Sequence, residues 1–572
     1  MIDFRNINTV WASIITTTLE KLGLTTVIIC PGSRSTPLTM AFSQAQNIES
    51  IAILDERSAA FFALGLAKKL GQPVAIVCTS GTASANFYPA IIEATESRVP
   101  LLILTADRPP FMRQCHSGQT IDQVKLYGHY PRWQCELSEP SLDFQLLHYL
   151  RQTIIYNWER SLFPVPGVVH LNIPFSDPLS PLPNSSVKLD LDQEDFFKHI
   201  NANLVLPSKS YQLPDIKYER GIIIAGTDNP ANPEKYVSAI ASLSQSLNFP
   251  VLAEGLSPVR NYANYNPFLI SSYDIILRNP QLAELLKPEI VLQIGDLPTS
   301  KILRQWLSNI RPITYIIDPS DHNFDSLHNP SIHLRVSVEN INIPVFAHSL
   351  ERGDKYVKSW INIEEKIRKN IDDEMSKIEY FLEGKIAWIL SQILPKETPL
   401  FIANSMSVRN VEYFWKPNNF KIQPFFNRGA NGIDGTLSTA LGIAHRYKPS
   451  VLLTGDLALL HDTNGFLIRN KFQGHLTIIL INNNGGGIFE ILPIANFDPP
   501  FEEFFATPQD VNFEQLCATY NIEYELMKDW SNLIDRLNIL PETGIRVLEI
   551  RTNRKNDAKW LKENLPKLAN IE

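Results

Sequence analysis

The stretch LTIILINNNGGGIFE, residues 476–490, ends an apolar run abruptly with three asparagines and three glycines. The run at 476–481 is short, uninterrupted and rich in isoleucine, which is typical of a strand buried on both faces of a parallel sheet. Ligands bind beyond the carboxyl ends of strands in such sheets, and glycine lets the backbone approach a ligand closely. The stretch therefore predicts a parallel α/β sheet with a ligand site at its carboxyl edge.

A second strand-like run, residues 450–454, ends in Gly455 and Asp456, and Asp456 precedes Asn483 by 27 residues. If 461–472 is the crossover of a right-handed βαβ unit, the two strands lie beside or near each other. Asp456, Asn483 and a free carbonyl in the glycine turn would then offer hard oxygen ligands, suited to Mg²⁺ or Ca²⁺. We predict a metal–diphosphate site here. The alternative is two ordinary loops, with the aspartate capping a helix and Asn-Gly forming a turn.

Short β-rich runs alternate with helical stretches, for example 57–70 and 83–95, along the 572 residues, which are too many for one core. The pattern predicts an α/β protein of three domains, at 1–182, 198–350 and 378–572, each with a parallel sheet flanked by helices. Residues 175–195 have the composition of a linker, and the charged helical stretch 354–377 is predicted to be a second connection. The predicted strands are 26–30, 51–54, 74–78, 101–105, 167–171, 221–225, 290–294, 313–317, 400–403, 450–454, 476–481 and 545–550.

Charge and cysteine content narrow the class of protein. The 52 basic and 60 acidic residues give a net charge of −8, which disfavours general nucleic-acid binding. The five cysteines show no CxxC spacing, so a disulfide framework or zinc site is not expected. The N-terminal segment lacks the apolar core of a signal peptide, and no stretch is apolar enough to span a membrane. We expect a cytoplasmic enzyme that acts on small molecules.

The Gly-Asp and Asn-Asn pairs at this spacing resemble the cofactor signature of thiamine-diphosphate enzymes. The stretch IAILDERSAAFFALGLAKKLGQPVAIVCTSGTASANF, residues 51–87, resembles the other half of that site. In the family, a glutamate at the end of a strand contacts the aminopyrimidine ring, and Glu56 holds that place. Alone, Asp-Glu-Arg would be a helix-start charge cluster. The resemblance implies thiamine diphosphate with Mg²⁺ or Mn²⁺, in pyrimidine-binding, central and diphosphate-binding domains.

A closer resemblance is to the family of 2-succinyl-5-enolpyruvyl-6-hydroxy-3-cyclohexene-1-carboxylate (SEPHCHC) synthases. The motifs that carry it are CPGSRSTPL (30–38), TADRPP (105–110), SGQTIDQ (117–123), NSMSVR (404–409), NRGANGIDGTLSTALG (427–442) and NNNGGGIFEILP (482–493). It implies a transferase of menaquinone or phylloquinone biosynthesis. The enzyme would decarboxylate 2-oxoglutarate and add the resulting succinyl-semialdehyde carbanion equivalent to isochorismate.

The resemblance also implies roles for individual residues. Glu56 would be catalytic, and both substrates carry carboxylates, which arginine binds with two parallel hydrogen bonds. The active sites would lie at the interface of a homodimer or homotetramer. The implied cofactor-binding residues are Glu56, Ile433, Gly455, Asp456, Asn483, Gly485, Ile488 and Phe489, of which Asp456, Asn483 and Gly485 would bind the metal. The implied substrate-binding residues are Ser33, Arg34, Arg108, Gln119, Lys301, Ser405, Arg409 and Arg428.

Three alternatives remain at this stage. The first is another thiamine-diphosphate-dependent 2-keto-acid decarboxylase or an acetolactate synthase-like enzyme. The second is an NAD(P)-dependent oxidoreductase, although no GxGxxG follows a predicted strand with an acid about 20 residues further on. The third is a non-catalytic scaffold with a degraded cofactor site, against which the presence of Glu56, Asp456 and Asn483 argues.

Overall fold

The computed structural model describes residues 2–184, 187, 191–201, 210–214, 216–343 and 354–571. The chain divides into two compact units. The first unit comprises Met1–Pro207, Asn427–Arg446 and His461–Gln473, and the second comprises Ser208–Phe426, Tyr447–Leu460 and Gly474–Glu572. The division into three domains at 1–182, 198–350 and 378–572 stays a prediction.

Within the described residues, the first unit contains one six-stranded parallel sheet of order β2-β1-β3-β4-β6-β5. Every residue of its strands β3, β4 and β6 is buried, as expected when helices cover both faces of a parallel sheet. The sequence predicted every strand except β5, whose half-buried residues WQCE form no apolar run. The strands are β1 (Thr26–Ile29), β2 (Glu49–Ala52), β3 (Val74–Cys78), β4 (Leu101–Asp107), β5 (Trp133–Glu136) and β6 (Val168–Pro174).

The helices of the first unit include one pair that packs unusually closely. A Cβ atom on Gly65 would lie 2.0 Å from the carbonyl oxygen of Thr439, and one on Gly442 would lie 2.1 Å from that of Phe62. Glycine at both positions therefore lets the helices Glu56–Leu70 and Thr436–Ala444 touch backbone to backbone. The other helices are Ile7–Lys21, Thr36–Ser43, Thr82–Ala85, Tyr88–Glu96, Phe144–Leu162 and Gln193–Phe196, with 3₁₀ segments at Pro110–Met112 and Thr463–Asn470.

Two short strands and a second six-stranded parallel sheet open the second unit, as far as the structure describes it. In the larger sheet the order is β10-β9-β8-β11-β12-β13, and β7 pairs with β14. The strands are β7 (Tyr211–Gln212), β8 (Gly221–Ala225), β9 (Val251–Ala253), β10 (Leu269–Ile270), β11 (Ile290–Ile294), β12 (Ile313–Ile317), β13 (Ser331–Leu334) and β14 (Ile341–Asn342).

The remaining parallel sheet of the second unit has the order β16-β15-β17-β18-β20-β19. Its central strands β17 and β18 are the two runs with which the sequence argument began, and they are direct neighbours. The strands are β15 (Pro399–Ile402), β16 (Gln423–Phe425), β17 (Ser450–Gly455), β18 (His475–Asn482), β19 (Glu523–Leu526) and β20 (Gly544–Arg551).

Helices flank both larger sheets of the second unit. They are Pro233–Leu247, Tyr273–Ile276, Pro280–Leu285, Lys301–Ile310, Asp354–Lys377, Glu383–Ile393, Met406–Phe414, Asp456–Leu460, Gly487–Glu490, Phe513–Thr519, Trp530–Asn538 and Arg554–Leu568. Short 3₁₀ segments lie at Pro258–Asn261, Ala263–Tyr265, Val338–Asn340 and Pro493–Asn496, and Glu502–Ala506 is a π-helix. None of the described helices combines the length and the apolar character that crossing a bilayer requires.

Parallel sheets flanked by helices confirm the predicted α/β class. Three local predictions need correction. The helix expected at 83–95 is two helices, because Pro89 lacks the N–H that a continuous helix would use. The crossover at 461–472 contains a 3₁₀ segment that begins with the weak helix formers Thr-Asn-Gly. The stretch 354–377 is a helix with a face buried in the core, including Trp360 and Ile367, so it is more than a connection.

The predicted linker at 175–195 contains the short helix Gln193–Phe196. Part of this stretch, residues 185, 186 and 188–190, lies outside the described residues.

Candidate active site

The segments that follow β17 and β18 are joined by one hydrogen bond, which Asp456 accepts. One carboxylate oxygen of Asp456 accepts a bond of 2.8 Å from the N–H of Leu457, and the other accepts one of 2.8 Å from the N–H of Gly485. The side chain is only 5% exposed, and burial raises the pKa of its carboxyl group to about 6. The backbone of Gly485 has a φ of +140°, which glycine adopts readily and other residues rarely do.

Asn483 contributes an oxygen that has no partner. Its amide nitrogen donates a hydrogen bond of 2.6 Å to Glu383, whereas its Oδ1 atom is buried and accepts no hydrogen bond from any described residue. Buried polar groups are nearly always satisfied in folded proteins, so this oxygen is available to a ligand. The carbonyl oxygen of Gly485 accepts one bond of 2.9 Å, from the N–H of Gly487, and retains a second lone pair.

The oxygen atoms of Asp456, Asn483 and Gly485 are suited to bind a divalent cation. A buried carboxylate, an unpartnered amide oxygen and a backbone carbonyl form the hard-oxygen set that Mg²⁺ and Mn²⁺ accept. In the described part of the chain, no cluster of three or more His, Cys, Asp or Glu side chains could hold a metal ion instead. A polar cavity of about 400 Å³ adjoins the loops. Its lining residues are Asp456, Leu460, Asn482, Asn484, Gln509, Asp510, Val511, Asn512, Phe513 and Arg551.

The apolar candidates of the second unit follow the glycine turn. Ile488 and Phe489 lie on the helix Gly487–Glu490 and are both half-buried. The ring of Phe489 meets that of Phe505 edge to face, with 5.8 Å between the ring centroids, and Ile488 packs against the hydrophobic core. Gly455 ends β17, and a Cβ atom there would meet nothing within 4 Å. The backbone at Gly455 is therefore open on the side where a side chain would stand.

Glu56 and Ile433 belong to the first unit. Glu56 is the first residue of the helix Glu56–Leu70, and Asp55 caps this helix by accepting a hydrogen bond of 2.8 Å from the N–H of Ser58. The carboxylate of Glu56 is half-buried and makes no hydrogen bond to a described residue. Ile433 is also half-buried, and its carbonyl oxygen accepts a 2.7 Å bond from the hydroxyl of Thr436.

Three of the predicted substrate residues, Arg34, Arg108 and Gln119, contact the loop after β3. The guanidinium of Arg108 donates to the hydroxyl of Ser80, and the side-chain amide of Gln119 donates a 3.0 Å bond to the Ser80 carbonyl. The backbone N–H of Arg34 donates a 3.1 Å bond to the hydroxyl of Thr79, and the exposed Ser33 precedes it. The structure therefore brings the side chains of Arg108 and Gln119 and the backbone of Arg34 to the same loop. The sequence could not predict that these three residues lie together.

This cluster is electrostatically suited to an anion. Burial, and then the positive charge of Arg108, lower the pKa of the Arg34 guanidinium. Arg34 donates one 2.8 Å bond to the carbonyl oxygen of Phe175, but its buried Nε atom has no hydrogen-bond partner among the described residues. The carboxylate of Asp177 lies 3.7 Å from Arg34 but is exposed, and a substrate carboxylate could accept from the unused Nε–H.

The remaining candidates include one contacting pair, Ser405 and Arg409, in the second unit. Arg409 on the helix Met406–Phe414 donates a 2.6 Å bond to the carbonyl oxygen of Ser405, and burial lowers the pKa of Arg409. Ser405 has a φ of +68°, a strained value for a residue with a side chain. Lys301 is exposed at the start of the helix Lys301–Ile310 and makes no hydrogen bond to Ser405 or Arg409 in the described part of the chain. Arg428 is half-buried in the first unit.

Two buried acids, one in each unit, were not predicted from the sequence. Glu93, 3% exposed, accepts bonds of 3.0 and 2.7 Å from the N–H groups of Gly429 and Ala430, so it holds the segment that carries Arg428 and Ile433. Glu383, 4% exposed, holds Asn483. In the sequence, Glu93 follows Ile92 and Glu383 follows Leu382. An acid directly after an apolar residue is the sequence signal from which the burial of these two side chains could have been predicted.

Comparison with known proteins defines the class. The model described as "Thiamine pyrophosphate enzyme, N-terminal TPP binding domain" matches residues 10–126, and "Middle domain of thiamine pyrophosphate" matches residues 191–402. With its parallel sheets, the chain is thus a thiamine-diphosphate enzyme of the α/β type, as predicted.

Relatives define the family within that class. The chain is 63% identical to a 2-succinyl-5-enolpyruvyl-6-hydroxy-3-cyclohexene-1-carboxylate synthase of Gloeothece citriformis, and the alignment covers 99% of both proteins. It is 62% identical to proteins of the same name from Trichormus variabilis and a Nostoc species, again over 99% of each protein. The chain belongs to the SEPHCHC synthase family.

Proposed function

We propose that this protein decarboxylates 2-oxoglutarate with thiamine diphosphate and transfers the resulting succinyl-semialdehyde carbanion equivalent to isochorismate, giving SEPHCHC. The observation that carries the proposal is the 63% identity over 99% of both chains to a relative named for that product. The reaction is a step of menaquinone or phylloquinone biosynthesis. The alternative of another 2-keto-acid decarboxylase or acetolactate synthase-like enzyme is not favoured, because the relatives that match over the whole chain share one name.

The residues after β17 and β18 would hold the cofactor's charged end. Asp456, Asn483 and the carbonyl of Gly485 are the proposed ligands of Mg²⁺ or Mn²⁺, which would bridge to the diphosphate. The unpartnered, buried Oδ1 of Asn483 supports this assignment. Gly455, whose Cβ direction is open, would let the backbone approach the cofactor. When bound, thiamine diphosphate supplies the electron sink that decarboxylation requires.

Glu56 is the proposed catalytic residue. Its carboxylate would hold a proton at N1′ of the aminopyrimidine ring and so favour the tautomer that can act as a base. The absence of any competing hydrogen bond from a described residue leaves it available for that contact. Ile433, Ile488 and Phe489 would form the apolar walls that position the cofactor and exclude water.

The cationic residues would bind the substrates' carboxylates. Contacts with the loop after β3 support Arg34, Arg108 and Gln119 as substrate residues, and Ser33 precedes Arg34. The planar guanidinium of arginine can donate two parallel hydrogen bonds to a carboxylate. Two such arginines therefore suit a substrate that carries two carboxylates. The other proposed contacts are Ser405, Arg409, Arg428 and Lys301.

The proposed working unit is a homodimer or homotetramer in the cytoplasm. In it, Glu56 of one protomer and the metal ligands of another would share each active site. This arrangement follows from the family resemblance.

The test is incubation of the pure protein with thiamine diphosphate, Mg²⁺, 2-oxoglutarate and isochorismate, followed by identification of the product by mass. The expected product has the mass of SEPHCHC, and CO₂ release should depend on both substrates. Thermal stabilisation by thiamine diphosphate with Mg²⁺, and none by NADH, should accompany it. Rapid CO₂ release without isochorismate, and no product of the expected mass, would instead favour a simple 2-keto-acid decarboxylase.

A further inference from the structure

Glu383 is a buried acid with an unusual concentration of hydrogen bonds. It begins the helix Glu383–Ile393 and is 4% exposed. Its Oε1 atom accepts a bond of 2.6 Å from the amide nitrogen of Asn483 and one of 3.3 Å from the hydroxyl of Thr552. Its Oε2 atom accepts a 3.4 Å bond from the amide nitrogen of Asn410, and its own N–H donates a 2.9 Å bond to Asp557. The carboxylate is therefore fixed on several sides.

The short bond to Glu383 decides which way the amide of Asn483 points. An asparagine amide has a donor end and an acceptor end, and Oε1 of Glu383 accepts hydrogen bonds both from Asn483 and from the hydroxyl of Thr552. The bond therefore holds Nδ2 against Glu383 and turns Oδ1 away, to where it is buried and has no partner among the described residues. A reversed amide would place two oxygens against each other and would lose the 2.6 Å bond.

Gly487 leaves room for this orientation. A Cβ atom at that position would lie 2.7 Å from Nδ2 of Asn483, closer than side chains pack. The glycine turn and the acid on a distant segment of the chain thus act on the same amide. Residues 383 and 483 are 100 positions apart, so the helix that carries Glu383 is brought to the glycine turn by the fold.

We propose that Glu383 is a positioning residue that orients the amide of Asn483 so that Oδ1 faces the divalent cation. The inference rests on the proposed function, in which Asn483 is a metal ligand. Hydrogen-bond partners that orient a metal ligand contribute roughly 10- to 100-fold to metal affinity in other proteins. Glu383 would act in the same way without touching the metal or the substrates.

The test measures Mn²⁺ binding rather than turnover. Electron paramagnetic resonance of free Mn²⁺, in the presence of thiamine diphosphate, gives the dissociation constant for the wild type, Glu383→Met and Glu383→Gln. We expect Glu383→Met to bind Mn²⁺ roughly 10- to 100-fold more weakly. Glu383→Gln should stay close to the wild type, because its carbonyl oxygen still accepts from Asn483. If the amide of Asn410 turns over, the Gln amide nitrogen can donate to Oδ1 of Asn410, which is buried without a partner in the described structure.

Glu364→Met is the matched control. Glu364 is 7% exposed and accepts four hydrogen bonds, of 2.5 to 3.1 Å, from the N–H and hydroxyl groups of Ser271 and Ser272. Its variant removes a buried carboxylate of the same size from the helix Asp354–Lys377. A general loss of stability would weaken Mn²⁺ binding in both variants, whereas the proposed role predicts weakening in Glu383→Met alone.

Mn²⁺ binding by Glu383→Met equal to that of the wild type would overturn the role of Glu383 alone. If Glu383→Met does not fold, Glu383→Asp replaces it, because the shorter side chain withdraws the carboxylate by about 1.5 Å, the length of one C–C bond. Weakened Mn²⁺ binding by Glu383→Asp supports the proposal, and wild-type binding overturns it. A wild-type chain that binds no Mn²⁺ overturns the proposed metal site together with the role of Glu383.

Discussion

Replacing Gly485 with alanine is expected to damage the metal loop even before a cofactor binds. The φ of +140° at Gly485 lies in a region that residues with a Cβ atom avoid. The added Cβ would stand 2.4 Å from the carbonyl oxygen of Ala506. A shift of Gly485 that relieves this contact also moves its N–H, which donates to Asp456 at 2.8 Å. One methyl group therefore disturbs both loops of the site.

The size of the effect follows from these contacts. Backbone strain of this kind costs about 1–3 kcal/mol. To reach even the 3.4 Å at which ordinary contact begins, the Ala506 carbonyl must retreat by 3.4 − 2.4 = 1.0 Å, which stretches its 2.7 Å bond from the N–H of Gly486. Loss of that bond costs about 1 kcal/mol more. A total near 3 kcal/mol corresponds to a fall in Tm of roughly 6–12 °C for a domain of about 150–250 residues. The predicted domain 378–572 is of this size.

Calorimetry of the cofactor-free protein, with Mn²⁺ binding measured in parallel, would check this prediction. The control is Gly455→Ala, since a Cβ atom at Gly455 meets nothing within 4 Å. We expect this variant to keep the wild-type Tm without cofactor, and to bind thiamine diphosphate more weakly if Gly455 contacts the cofactor. A Gly485→Ala protein with the Tm and Mn²⁺ affinity of the wild type would refute the reasoning.

Three further predictions concern the first unit. Glu56→Gln should still bind thiamine diphosphate in a titration but lose turnover by roughly 100- to 10,000-fold, and near-normal kinetics would remove Glu56 from the proposed role. Glu93→Ala should lower the unfolding free energy in urea by about 3–5 kcal/mol, because it leaves the ammonium of Lys68, 3.5 Å away, buried and without this ion pair; a change below 1 kcal/mol would contradict this. Burial lowers the pKa of His170 to about 3, so the unfolded chain binds the extra proton first and stability falls as pH drops from about 6.5 towards 3. His170→Gln should reduce the change in unfolding free energy with pH by up to about 1.4 kcal/mol per pH unit. An unchanged pH dependence of stability would argue against a neutral, buried His170.

The strands that sequence patterns predicted are those whose apolar residues form uninterrupted runs. β3, β8, β11 and β12 lie where the runs predicted them, because burial on both faces requires apolar residues at consecutive positions. Several other strands were missed, including the three-residue β9 inside its sheet, although the edge strand β2 was predicted. β5 and β19 each border one neighbouring strand, and their residues are half-buried or exposed, so no continuous run marks them.

The contact between the segments after β17 and β18 shows what the spacing of residues along the sequence can predict. Asp456 and Gly485 form a hydrogen bond because β17 and β18 are adjacent parallel strands, and the 27 residues from Asp456 to Asn483 suit one crossover. The same reasoning could not find Glu383, which is 100 residues from Asn483. Nor could it show that Arg34 and Arg108 lie close together around the loop after β3.

The sequence by itself determined the α/β class, most of the central strands, the pairing of the segments at Asp456 and Gly485, and the family, since each depends on local periodicity or on short motifs with fixed spacing. The tertiary structure decided which buried acid orients Asn483, which acid holds the segment before Ile433, and which cations share one place. These contacts join segments tens to hundreds of residues apart. The position of one segment against another depends on how whole helices and sheets pack, and no local pattern encodes that packing.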